Sequence, residues 1–248
     1  MTMPSINIKV VASSKDIQSP FVTESPIREY FFVDQQHNGD NIDSLNLWLC
    51  EITALYYIWK HSTEDIVGLE HYRRFFVEQS KSYNPKDYTP VSKEYIEKTL
   101  TTYDAIVAYH QHAINRCADS YLKQAKKYNE FCVWLDIANT TLPGFKDFTL
   151  KLWKENSCLI CCNMFITKRD IINEYCTWLF PIINQFIKEH PLTNTYTRNI
   201  GYLVEFTWGA WLLFNNKRIK LNNHIRFTKD MKSLDEIERT TVNRGIKL

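Results

Sequence analysis

The chain has 248 residues, 44% apolar and 23% charged, a globular composition long enough for one sizeable domain or two small ones. Its formal net charge of +2 excludes the strong basic excess of a dedicated nucleic-acid binder. No apolar run is long enough to cross a bilayer, since Tyr175 to Ile187 is too short and is broken by Pro181.

An odd count of 7 cysteines and a short polar start in place of a signal peptide point to free thiols in a reduced cytoplasm. Ile6 to Ala12 alternates and then turns apolar, predicting a first strand with Ser13-Ser14-Lys15-Asp16 as the loop at its C-terminal end. Residues 17 to 40 read as irregular connections around a short strand at Tyr30–Val33. From Asp43 or Ser44, a plausible N-cap, apolar residues recur at Leu47, Cys50, Leu55 and Ile58, the spacing of a buried or amphipathic helix. Ile66-Val67-Gly68-Leu69 then predicts a buried strand that empties into His71-Tyr72-Arg73-Arg74.

Further on, Val91 to Leu100 predicts a helix capped by Ser92, and Tyr103 to Ala108 a strand. Residues 110 to 156 look helical, with a turn near Asn139 to Gly144. Ser157 to Thr167 predicts another buried strand, followed by a long helix to Glu189 with a kink expected at Pro181, and a second helix from Thr195 to Phe214. After Asn215 the composition becomes basic, and 215–248 reads as a C-terminal extension of a single domain.

Arg73 and Arg74 form either a salt-bridged structural pair or an anion site. We favour the second, because guanidinium forks match phosphate oxygens and ligands sit beyond the carboxyl ends of strands in α/β sheets. Glu205, inside an otherwise apolar helix, is either paired with Arg198, seven positions earlier, or a base with a raised pKa; Glu51 poses the same question. Cys158, Cys161 and Cys162 contain a C-x-x-C spacing without a second pair, so core thiols are expected rather than a zinc site. His110 and His112 lack a nearby third ligand. The chain has no Gly-rich phosphate loop, no G-x-S-x-G, no H-E-x-x-H and no Asp-x-Asp.

The segments GDNIDSLNLWLCEITALYYIWKH, VGLEHYRRFF, YDAIVA, NMFITKRDIINEYCTWLFPI and YTRNIGYLVEFTWGAWL, in this order, resemble the bacterial capsular-polysaccharide and exopolysaccharide glycosyltransferases, a family long catalogued as a domain of unknown function. The resemblance implies an α/β fold similar to the GT-A (Rossmann-related) nucleotide-sugar transferases, with a mixed central sheet flanked by helices and the donor at its C-terminal edge. It implies transfer of a hexose, with galactose in pyranose or furanose form as the family's suggestion, from a UDP-sugar donor to a lipid-linked saccharide acceptor. No nucleic acid partner is implied. The setting would be cytoplasmic, and the basic C-terminus is either a solvated tail or a segment that docks on anionic lipid at the inner face of the membrane.

In that arrangement Ser13, Asp40 and Asn41 would lie near the nucleoside. His71, Arg73 and Arg74 would stand where related enzymes carry the metal-holding Asp-x-Asp, with Tyr72 beside them among the donor-binding residues. Asn163 would bond sugar hydroxyls, Arg198 would orient Glu205 or the phosphate, and Glu205 would be the base. No cofactor is assigned; a divalent cation (Mn or Mg) stays open, although no Asp-x-Asp is present to hold it. A non-catalytic saccharide- or nucleotide-binding subunit of a capsule assembly complex is the competing reading.

Overall fold

The early apolar runs pair in parallel. β1 (Ile6–Ala12) lies between β2 (Arg28–Phe32) and β3 (Ile66–His71), in register from Ile6↔Ile66 to Val11↔His71, so β1 and β3 end together. β6 (Cys158–Lys168) runs antiparallel to β3, and β5 (Ala105–Gln111) runs antiparallel to β6 and parallel to β7 (Ile219–Leu221). The computed structural model describes residues 3–78, 88–111, 128–155, 158–194, 197–232 and 234–238. The resulting mixed sheet reads 2-1-3-6-5-7. Because the chain leaves β1 for β2 on one side and returns to β3 on the other, the carboxyl ends of β1 and β3 flank a topological switch point.

A branch of the same sheet departs from that point. β4 (Arg74–Phe76) meets β3 only at His71↔Arg74, then pairs with β8 (His224–Phe227), which pairs with β9 (Leu234–Glu238). The wedge where β4 peels away is filled by Glu70, which is 0% exposed. Its Oε2 accepts from Arg28 Nε at 2.8 Å and its Oε1 from the Phe76 backbone N–H at 2.9 Å. Arg28 also donates to Val91 O at 3.2 Å, so the buried charges are paired and hydrogen-bonded, as burial requires. The basic stretch after Asn215 is therefore not a solvated extension up to residue 238: it supplies three strands, with Lys217 paired to Glu174 and Arg218 to Asp104. Residues 239–248 lie outside the described residues.

The helices are α1 (Pro20–Thr23), α2 (Asn46–Leu49), α3 (Ile52–His61), α4 (Lys93–Thr102), α5 (Tyr128–Thr141), α6 (Phe145–Glu155), α7 (Arg169–Glu189) and α8 (Asn199–Phe214). Ser92 caps α4 as expected, its Oγ accepting from Tyr95 N. The helix predicted from Asp43 is instead split at Cys50, whose φ of 53° no helix tolerates, into a 3-10 turn and α2 on one side and α3 on the other. α7 runs through Pro181 as one helix. α8 is buried nearly all round, which accounts for its continuous apolar sequence. Among the described residues, no helix is long and apolar enough to cross a membrane.

Candidate functional site

α8 packs on β6 through one stripe. Gly201, Glu205 and Gly209 recur every four residues and so share a face of the helix. A methyl group at Gly209 would come within 2.6 Å of Ile160 Cβ, and one at Gly201 within 3.2 Å of Leu49 O. Gly209 permits the close approach to β6 and Gly201 that to the end of α2, with the carboxylate between them.

There β6 is interrupted by a large bulge. The partner of Val107 on β6 is Phe165, but that of Tyr109 is Ile160, where an unbroken ladder would reach position 163, so three extra residues are accommodated. Cys162 and Asn163 absorb them with φ of 68° and 49°. Left-handed backbone inside an apolar strand is costly, common at functional sites, and sustained only by surrounding contacts.

Four residues supply those contacts. Cys162 N–H donates to Glu205 Oε1 at 2.6 Å, and His71 Nε2, at the end of β3, lies 2.6 Å from Cys162 O, to which it donates. Asn163 Nδ2 donates to Glu51 Oε1 at 2.7 Å and to Gly201 O at 3.1 Å. Glu51, His71, Asn163 and Glu205, all singled out from sequence, thus gather at one bulge beside the switch point.

Glu205 keeps a partial opening to solvent, yet protein crowds it enough to raise its pKa to about 8. Burial is the main cause; the neighbouring Cys162 thiol and Glu51 push the same way, while the Cys162 N–H and the Arg74 guanidinium oppose it. A carboxyl with a pKa of about 8 is mainly protonated at neutral pH, and its ionised fraction takes up a proton more readily than an ordinary carboxylate.

The arginines divide. Arg73 Nη1 donates to Phe227 O at 2.8 Å, its carbonyl accepts from Phe227 N at 2.8 Å, and its guanidinium lies 5.3 Å from the Tyr72 ring centroid. Tyr72 N–H donates to Val11 O at 2.9 Å, holding the turn against the end of β1. Arg74 Nε is buried with no hydrogen-bond partner among the described residues, and its charge acts on Glu205.

Other expected residues lie elsewhere or have other partners. Arg198 precedes α8 as a left-handed N-cap (φ 64°), and its Nε donates to Cys50 Sγ at 3.3 Å rather than to Glu205. That thiol contact, with Coulombic help from Cys50, raises the pKa of Arg198. Asp40 accepts from Tyr56 Oη and its carbonyl from His61 Nε2, toward the C-terminal end of α3 and away from Glu51. Asn41 closes its own turn through His37 O and Gly39 O. Ser13 Oγ donates to Asp34, whose carboxyl is held down to about 2 mainly by the Ser14 N–H and the Ser13 and Ser14 hydroxyls. Of these four, Ser13 follows the end of β1 and Arg198 lies near enough to Glu51 for their charges to interact.

Sequence reasoning missed Gly201 and Arg226; it expected Cys162 as a core thiol, which its burial matches, but not that its N–H holds Glu205. Arg226 had a signal: His224-Ile225-Arg226-Phe227 alternates between faces behind an Asn-Asn turn. The side chains of Cys158, Cys161 and His110, and the whole of His112, lie outside what is described. Among the described residues, no three His, Cys, Asp or Glu side chains gather to hold a metal ion, and the cation that acts on Glu205 is Arg74.

No curated protein matches the chain. Its fold is similar to that of the apo structure of the bifunctional glycosyltransferase WbbM, with a TM-score of 0.71 and 20% sequence identity, covering 89% of this chain and 45% of that one. The expected mixed α/β sheet flanked by helices is the observed fold, and the chain spans less than half the length of the protein it is similar to. Residues 13–217 match the family described as Domain of unknown function (DUF4422), a span that contains Glu51, His71, Arg74, the β6 bulge and Glu205. With that match covering most of its length, the chain belongs to the DUF4422 family.

Proposed function

We propose that this chain is a glycosyltransferase domain of GT-A-like type that moves a hexose from a UDP-sugar to a lipid-linked saccharide acceptor, working at the inner face of the cell membrane in capsular or exopolysaccharide synthesis. Galactose, as pyranose or furanose, is the sugar suggested by the sequence resemblance. The likeness of its fold to a bifunctional glycosyltransferase supports the reaction class, and the coverage suggests that this chain corresponds to one transferase unit of such an enzyme.

The observation that carries the reading is Glu205: a crowded, partly open carboxyl with a pKa of about 8, beside a cation at the carboxyl end of the sheet. Sugar transfer with inversion needs such a group. As the acceptor oxygen bonds to the anomeric carbon, the bond from that carbon to the donor diphosphate breaks and its electron pair leaves with the diphosphate. The hydroxyl proton passes to Glu205. Arg74 faces the developing negative charge, where a fixed cation in a poorly solvated site is effective. Asn163 has its amide nitrogen committed to Glu51 and Gly201, which leaves Oδ1 to accept from sugar hydroxyls. His71 and Glu51 hold the bulge and so position the Cys162 N–H that orients Glu205.

The test is donor hydrolysis without acceptor. Wild-type protein incubated with UDP-hexoses should release UDP slowly, and Glu205→Gln should bind UDP with unchanged affinity but release none. Undiminished release by Glu205→Gln would remove Glu205 as the base. Tight binding of UDP-sugar by wild type with no release in the presence of acceptor would favour the non-catalytic binding subunit.

A further inference from the structure

We propose that Arg74 and Arg226, facing each other across β4 and β8, form one guanidinium clamp for a diphosphate, and that the adjacent Arg73 is a structural staple outside it. The identity of the diphosphate as a sugar donor rests on the function proposed above; the clamp itself rests on the strand geometry.

In the β4–β8 ladder Arg74 is directly opposite Arg226. Phe227 N bonds Arg73 O and Val77 N bonds Asn223 O, which puts the hydrogen-bonded pairs at 73/227 and 77/223. The pair 74/226 is therefore of the non-hydrogen-bonded kind, where Cα atoms approach to about 4.5 Å and side chains are closest. Directly opposite residues emerge on the same face, and like charges there repel. Both residues are partly buried, while Phe76 and His224, next along on this face, are fully buried. The other face of the same strands carries Phe75, Ile225 and Phe227 in a closed apolar cluster.

Two cations held in opposition form a site built for an anion, and its location agrees. β4 is in ladder register with β3 at His71↔Arg74, at the carboxyl end of β3, and Arg74 acts on Glu205. Arg74 has no acidic position opposite it in either ladder, its partners being His71 and Arg226, and its Nε makes no hydrogen bond among the described residues. Two adjacent planar forks suit two linked phosphates better than one carboxylate, because each can take a pair of oxygens. Arg73, one residue away, emerges on the opposite face, and its guanidinium is held by Phe227 O and the Tyr72 ring.

On its other side Arg226 is in register with Glu236 of β9, which defines the rival explanation, a purely structural ion pair. Titration calorimetry of the full chain with inorganic pyrophosphate, UDP and uridine separates the two. Arg74→Gln and Arg226→Gln should each weaken pyrophosphate and UDP at least tenfold and leave uridine unchanged, and Arg226→Lys should recover only part of the loss. Arg73→Gln should lower Tm while keeping the UDP Kd within twofold.

The clamp is overturned if wild type binds no pyrophosphate, if Arg226→Gln or, should that variant not fold, Arg226→Lys binds UDP as wild type does, or if Glu236→Gln and Arg226→Gln lower Tm alike without any change in affinity. The proposed function can fail separately. Pyrophosphate binding lost in both variants, with no sugar released from any nucleotide-sugar, keeps the clamp and removes the transferase. Turnover unaffected by Arg226→Gln does the reverse.

Discussion

Two carboxylates sit a few residues from the same switch point and are treated oppositely. Glu70, in the wedge between β3 and β4, has no exposure and is fully engaged by Arg28 and the Phe76 N–H. Glu205, between β6 and α8, has one hydrogen bond among the described residues, a cation that acts on it without bonding it, a second carboxylate nearby and an opening to solvent. A buried acid with its partners in place holds strands together. One kept short of partners retains an unsatisfied affinity for a proton, which is the property a base requires.

The largest expected effect separates them by activity. Glu205→Gln should lower sugar transfer by about 10²–10⁴-fold, the usual contribution of a positioned base, with no loss of Tm; steady-state kinetics with thermal denaturation checks both. Next comes the converse. Arg28→Met leaves Glu70 charged and buried, and should cost about 3–5 kcal/mol of folding stability in urea titrations, while the molecules still folded keep their donor affinity. If Arg28→Met proved stable, Glu70 would not be the strand-holding acid described here.

A third change acts on the packing that delivers Glu205. Gly209→Ala forces α8 away from Ile160 and should cost about 1–3 kcal/mol. It should also lower kcat more than it raises KM, since the carboxylate moves and the donor site does not. An unchanged kcat would mean that the close α8–β6 approach has no part in placing the base.

The smallest effect is on the pH dependence of stability. Glu205 has its ordinary pKa near 4.5 in the unfolded chain and about 8 in the folded one. Between these values the folded state holds a proton that the unfolded state has lost, so stability falls as pH rises through this window and levels off above about 8. Allowing for its partial exposure, the fall attributable to Glu205 is on the order of 2 kcal/mol. Glu205→Gln, a permanent mimic of the neutral acid, should lack it, which chemical denaturation at pH 5 and pH 8.5 would reveal.

Periodicity made the repetitive parts of this fold legible. The alternating run at Ile6–Ala12, the apolar Ile66–Leu69, the Ser92 cap and the long aromatic helices all correspond to observed elements, because each obeys a local rule of spacing or capping. Glu205 stood out because a carboxylate is out of place among apolar neighbours, whereas Asn163 entered through the family resemblance. What stayed hidden depends on contacts distant in sequence. Nothing in Ser157–Thr167 announces that Cys162 and Asn163 turn left-handed, since His71, Glu51, Gly201 and Glu205 hold them so. Cys50 breaks a helix that its neighbours would continue. Arg226 stood in a stretch whose net charge concealed its alternation, and Arg198 pointed at a thiol where spacing alone suggested a carboxylate.

The measurement that bears most directly on the account is the pH dependence of kcat/KM for sugar transfer. A base with the pKa of Glu205 predicts a rate that climbs about tenfold per pH unit from pH 6 and levels off near pH 8. A profile flat from pH 6 to 9, with Glu205→Gln as active as wild type, would contradict it.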